Sequence, residues 1–132
     1  MSNVIVIGCG RVGSKLANEL SVSGHNVCCV DSDANSFKNL GSDFGGQLVK
    51  GVGFDEEVLL RAGVNECDIL AACTPSDNAN LMACEVAKRL YDVERVVARL
   101  DNPTRVEVYK ELGIDYVCGT NLIANTMLEK VG

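Results

Sequence analysis

The 132-residue chain has a single histidine, two prolines and few aromatic residues, at 5% of the total. No charge-free apolar run comes near the roughly 18 residues needed to span a bilayer. The N-terminus, MSNVIVIG, enters an apolar run at once, with no basic region or small-residue cleavage site before it. No secretory leader is read there, and a cytoplasmic protein without direct membrane insertion is expected. No run of lysines and arginines exceeds two residues, and the net charge is −6 with a pI near 4.7. That balance argues against nucleic acid as a partner. Seven cysteines are present in an odd count without any CxxC pair, and most sit in apolar runs such as VCCVD and ILAACT. Neither a disulfide framework nor zinc is expected from that pattern, and the thiols read as small core residues. No Tyr-x-x-x-Lys pair, Ser-x-Gly elbow or metal-ligand cluster occurs, so no catalytic residue and no metal ligand is assigned.

The hydrophobic content, 47%, is enough for one domain with its own core, taken here as residues 1–132. Apolar runs alternate with helical patterns along the whole chain. Strands are expected at 3–8, 26–31, 46–51, 67–74, 95–100 and 114–119. Helices are expected at 11–24, 34–42, 55–63, 76–91, 103–113 and 121–131, with Pro103 at the first helical position. The strands are nearly continuous in apolar residues, which calls for cover on both faces and for parallel pairing through right-handed crossovers. The expected fold is α/β: a Rossmann-like, doubly wound parallel sheet of six strands, order 3-2-1-4-5-6, with helices on both faces.

At the first strand-to-helix joint the chain reads Gly8-Cys9-Gly10-Arg11-Val12-Gly13. A lone GxGxxG is a weak signal. This one follows a strand, opens a helix and precedes Asp31, which ends the second strand. Gly8 permits the tight turn, Gly10 lets a pyrophosphate approach the backbone, and Gly13 allows close helix packing. The phosphates would meet free N–H groups and the positive end of the helix. Asp31, with Ser32 beside it, would hold an adenosine ribose and disfavour a 2′-phosphate; a helix N-terminal charge is the plainer role for Asp31. Asp33 reads as a cap. Arg11 can pair with phosphate or stand as a solvated surface charge. Cys9, at a helix N-terminus, is either a small fitting residue or a thiol of lowered pKa that senses oxidation.

The other strand ends at this edge bring Gly51, Val52, Cys73, Thr74 and Arg99. Gly51 and Val52 would border the adenine. Thr74 would face the ligand or cap the next helix, and Arg99 would touch ligand or form a structural ion pair. His25 falls at the far edge, as a surface or capping residue. The last helix carries Leu122, Ile123, Ala124, Met127, Leu128 and Val131, more than one stripe needs. It would pack either on a partner subunit or on its own sheet.

IVIGCGRVGSKLANELSVSGHNVCCVDSD, CTPSDNANLMACEVAK and ARLDNPTRVEVYKELGIDYV together resemble the N-terminal nucleotide-binding domain of the Trk/Ktr potassium-transport regulators, also called the RCK, KTN or TrkA-N domain. The most specific parts are Gly-x-Gly-Arg-x-Gly, the Gly-His before the second strand, Thr-x-x-Asp-x-x-Asn at 74–80 and Ala-Arg-x-x-Asn-Pro at 98–103. The resemblance implies a non-enzymatic regulatory subunit that binds NAD(H) or ATP/ADP. It implies assembly as dimers or rings of dimers on the membrane subunit of a potassium channel or transporter, and gating by ligand. Carried over, the loop glycines and Arg11 hold phosphates and Asp31 holds ribose. Members of the family often carry an acid after the third strand, in Gly-Asp-Ala/Gly-Thr; here the stretch is Gly51-Val52-Gly53-Phe54. The alternative is the cofactor-binding half of an NAD-dependent oxidoreductase.

Overall fold

The computed structural model describes residues 1–132. Six strands, β1 (Asn3–Ile7), β2 (Asn26–Asp31), β3 (Gln47–Lys50), β4 (Ile69–Ala72), β5 (Arg95–Leu100) and β6 (Asp115–Cys118), form one sheet in the order β3-β2-β1-β4-β5-β6. Every pairing is parallel, with Ile5 opposite Cys28 on one side and Leu70 on the other. The doubly wound Rossmann-like sheet expected from the sequence is therefore the fold. The α-helices are α1 (Arg11–Val22), α2 (Glu56–Arg61), α3 (Asp77–Tyr91), α4 (Val106–Leu112) and α5 (Gly119–Val131).

Alternate residues of each strand feed two cores. Ile5, Ile7, Val30, Leu70, Ala72, Ala98 and Leu100 join Leu59 of α2, Ala83 and Ala87 of α3 and Tyr109 of α4 in the larger one. Val4, Val6, Val27, Cys29 and Ala71 join Ala17 of α1 in the smaller one, which Phe37, Leu40 and Phe44 flank. Burial is nearly continuous along β1, β2 and β4, while β5 alternates and the edge strand β3 has no buried residue.

Several expected elements are shorter or different. Residues 34–42 form no α-helix: Ala34–Asn39 is a 3-10 helix, capped by Asp33. Phe37 and Leu40, three apart, share one face in that tighter winding, and both pack on the smaller core. The helix expected at 55–63 stops at Arg61, because Gly63 turns left-handed (φ 91°) and a 3-10 turn, Val64–Glu66, follows. Pro103 does open a helix, a 3-10 turn at Pro103–Arg105 that runs into α4. The strand expected at 67–74 is only Ile69–Ala72: Asp68 accepts the Asn3 N–H (2.8 Å), and Thr74 belongs to the polar loop beyond.

The last helix does not dock on its own sheet. No residue of α5 is buried, and Leu122, Ile123, Met127, Leu128 and Val131 are 57–82% exposed. Its side-chain tie to the body is the Thr120 hydroxyl, which donates to the Asp101 carbonyl (2.6 Å). No helix is long and apolar enough to cross a membrane.

Candidate functional site

The carboxyl ends of β1, β2, β3, β4 and β5 surround a cavity of about 820 Å³. Of the thirteen residues expected at a ligand site, eleven line it: Gly8, Gly10, Arg11, Val12, Asp31, Ser32, Gly51, Val52, Cys73, Thr74 and Arg99. Cys9 and Gly13 do not. Gly53, Phe54 and Pro75, next to the expected residues, also line it, and Ser36, Ser76 and Ala79 join without having been singled out.

One wall is the β1–α1 joint. Gly8 has φ +94°, so the turn out of β1 needs a glycine. A Cβ on Gly13 would lie 1.7 Å from the Gly8 carbonyl oxygen, so α1 sits directly on the loop that precedes it. Gly10 is the N-cap of α1 and has nothing within 4 Å of where its Cβ would be; that side is open cavity. Helix α1 has no side-chain cap and no acid in its first turn. Its first hydrogen bond runs from Ser14 N–H to the Gly10 carbonyl (2.9 Å), and the N–H groups of Arg11, Val12 and Gly13 have no protein acceptor. Arg11 makes no ion pair and no hydrogen bond, and it is exposed at the mouth.

Asp31 does more than end β2. One carboxylate oxygen accepts the Cys9 N–H (2.8 Å) and the other the Asp33 N–H (2.9 Å). Each oxygen keeps a second lone pair for the cavity. Asn39, from the 3-10 helix, donates to the Cys9 carbonyl (2.9 Å). The backbone of Cys9 is thus held on both sides, its N–H by Asp31 and its carbonyl, part of the peptide to Gly10, by Asn39.

Cys9, expected among the ligand-site residues, is corrected: its side chain is fully buried in the smaller core beside Cys29 and does not face the cavity. Burial pushes its thiol up, opposite to the lowering an oxidation sensor needs. Burial raises Cys28 and Cys73 to about 11 and Cys84 to about 12. All seven cysteines are free.

The opposite wall is fixed by Asn80, a residue that site reasoning passed over. It is fully buried on α3. Its Oδ1 accepts from the Thr74 N–H (2.9 Å) and the Thr74 hydroxyl (2.7 Å). Its Nδ2 donates to the carbonyls of Thr74 and Arg99 (2.9 Å each). One amide therefore joins the ends of β4 and β5. Ser76, not Thr74, caps α3, accepting from Ala79 N–H (3.1 Å). Arg99 lines the cavity and is bidentate to Asp101 (3.1 and 3.2 Å), so the expected ion pair is present at the cavity wall. The signal for Asn80 lay in Thr-x-x-Asp-x-x-Asn: it stands six positions after Thr74, across the turn that opens α3.

The loop after β3 lies against the sheet, since a Cβ on Gly53 would be 2.1 Å from Ile7 Cγ2. Asp55, the nearest acid, caps α2 through the Glu57 N–H (2.9 Å) and does not line the cavity. His25 lies at the other end of the strands, accepting from Ser2 N–H (3.0 Å).

A family model described as "TrkA-N domain" matches residues 4–120. The chain is 44% identical over 129 residues to the Trk system potassium uptake protein TrkA of Streptomyces coelicolor. That alignment covers 98% of this chain and 58% of the Streptomyces protein, so the chain spans under two thirds of that relative. Among solved structures, the TrkA-N domain of the Escherichia coli inner membrane protein YbaL superposes with a TM-score of 0.87 at 24% identity, covering 99% of this chain and 97% of that one. The Kef C-terminal domain of Shewanella denitrificans, in an AMP-bound form, gives 0.82 at 21% identity, covering 98% and 79%.

Proposed function

The chain belongs to the TrkA-N domain family, and on that premise we propose that it is a nucleotide-binding regulatory domain of a potassium-transport system. The observation that carries the proposal is the first turn of α1. Its N–H groups are uncapped and open on a cavity between a free arginine, Arg11, and a carboxylate, Asp31. Helix N-termini left in that state suit phosphate, and Arg11 adds a mobile charge for it. Asp31 has acceptor capacity left for a ribose diol and repels a 2′-phosphate. The ligand is an adenine nucleotide, NAD(H) or ATP/ADP, with its base beside Gly51, Val52 and Phe54. An AMP-bound Kef domain with this fold is consistent with that class.

The titratable groups that line the cavity are Arg11, Asp31, Cys73 and Arg99. Asp31 and Arg99 are engaged in holding the walls, and burial raises the Cys73 thiol, an arrangement that suits binding better than proton transfer. Partners follow from the family: the membrane subunit of a potassium channel or transporter, approached from the cytoplasmic side, and a second copy of the chain. The exposed apolar face of α5 supports the second partner.

Isothermal titration with NAD, NADH, ATP, ADP and NADPH tests the proposal. Binding of adenine nucleotides with NADPH much weaker is the expected result. No heat with any of the five would mean that the glycine joint is only a turn.

A further inference from the structure

We propose that Asn39 is a positioning residue for nucleotide phosphates, acting through the Cys9 carbonyl and touching no ligand itself. The proposal rests on the nucleotide-binding function argued above and adds a residue to it.

The phosphate-facing groups belong to Gly10 and the first turn of α1, and their direction depends on how the backbone at Cys9 is turned. Cys9 is the one residue of the loop whose backbone is held by side chains from elsewhere in the chain. Asp31, twenty-two residues on, takes the Cys9 N–H; Asn39, thirty residues on, donates to the Cys9 carbonyl. The two bonds pull on opposite ends of one residue, so rotation of the loop breaks at least one. The Cys9 side chain is buried beneath them and closes the third direction.

Asn39 is well placed for this task. It ends the 3-10 helix that begins at the Asp33 cap, and Asp33 N–H is itself bonded to Asp31. Phe37 and Leu40 on either side pack on the smaller core and fix the helix end. The amide does not line the cavity, whereas Ser36 of the same helix does. Asp31 and Asn39 therefore have separable roles. Asp31 holds the loop and offers lone pairs to ribose; Asn39 holds the loop alone. A loop already fixed in the binding shape spares the ligand the entropy of ordering it, and that benefit falls on the phosphates.

Titration of wild type, Asn39→Ala and Asn18→Ala with adenosine, AMP, ADP and NAD tests the assignment. Asn18 accepts the Gly41 N–H (3.0 Å), anchoring the chain just beyond the same 3-10 helix and away from the loop. It controls for simple loosening of that segment. Asn39→Ala should weaken ADP and NAD by about tenfold, the upper range for one hydrogen bond, and leave adenosine within about twofold. Asn18→Ala should leave the ADP-to-adenosine ratio unchanged. In the ligand-free protein, the Cys9 amide should exchange with solvent faster in Asn39→Ala. Equal losses for adenosine and ADP would overturn the proposal, as would unchanged ADP affinity or unchanged Cys9 exchange. Wild type that binds none of the four ligands overturns the nucleotide function, and this assignment with it. Wild type that binds while Asn39→Ala binds equally well overturns only the role of Asn39.

Discussion

Helices α1 and α3 begin at the same edge of the sheet, on facing walls of one cavity, and treat their N-termini in opposite ways. Helix α3 is satisfied from within: Ser76 caps it, Asp77 places a charge in its first turn, and Asn80 ties the preceding loop to the end of β5. Helix α1 has glycine at its cap, no acid in its first turn and no side-chain hydrogen bond there. Two neighbours at this edge follow α3: α2 is capped by Asp55 and carries Glu56 and Glu57, and the turn before α4 is capped by Asn102; α5 also starts without a side-chain cap or an acid, but it does not line the cavity. A cap contributes about 1 kcal/mol, and α1 goes without one where its positive end opens on the cavity. The cavity belongs to both helices, but only one offers it unpaired donors.

The strongest way to break the contrast is to give α1 what α3 has. Gly10 lies at φ −78° and ψ −156°, the extended conformation of a cap, with open space at its Cβ. Gly10→Asp should therefore fold, cap the first turn and raise the ligand-free melting temperature slightly. Nucleotide affinity should fall by roughly a hundredfold or more, because a carboxylate takes the phosphate's place on the same N–H groups. Retained affinity in a well-folded variant would remove α1 from the site. On the other wall, Asn80→Ala should lower stability by about 3 kcal/mol, since it leaves the Thr74 N–H and the Arg99 carbonyl without their buried partner. The check is a lower denaturant midpoint with an unchanged slope. A loss within experimental error would mean that water replaces the amide.

The contrast was half legible in the sequence. Strand order and the glycine joint follow from local rules: continuous apolar runs, turn residues, and glycines at fixed spacing before an acid. The cavity-lining residues near that joint were expected because the fold rule places them. Asn80 and Asn39 were missed for a common reason. Each acts on backbone far from it in sequence, Asn39 on Cys9 and Asn80 on Arg99, and a polar residue in a helical pattern carries no sign of which carbonyl it will reach. Cys9 was read as a small fitting residue or a sensing thiol, and its burial in the core fits the first and takes its side chain away from the cavity. The short helix at 34–42 was expected without its 3-10 winding, because three-residue and four-residue spacing look alike over six residues.

Asp31 sharpens the comparison from the other end of the ligand. Asp31→Ala should weaken adenosine ligands more than tenfold, an effect of about 1.5–3 kcal/mol for a charge-assisted bond. It should also reduce the discrimination against NADPH, measured in the same titration. Unchanged discrimination would place the ribose away from β2.

The smallest expected effect decides whether α3 has any share in anion binding. Ser76 lines the cavity and takes the Ala79 N–H. In Ser76→Ala that donor is released at a helix N-terminus, a short distance across the cavity from α1. If α3 serves only to hold its wall, stability drops by about 1 kcal/mol and nucleotide affinity is unaltered. If α3 competes for the same phosphates, affinity rises as the N–H becomes free, most of all for the nucleotide with the longest phosphate chain. Asp77 argues for the first outcome, because its carboxylate lies in the first turn of α3, where it accepts the N–H groups of Asp101 (2.8 Å) and Asn102 (3.0 Å). A helix end already occupied by a carboxylate has little attraction left for a second anion, so removing the serine should weaken the helix and leave the ligand where α1 holds it.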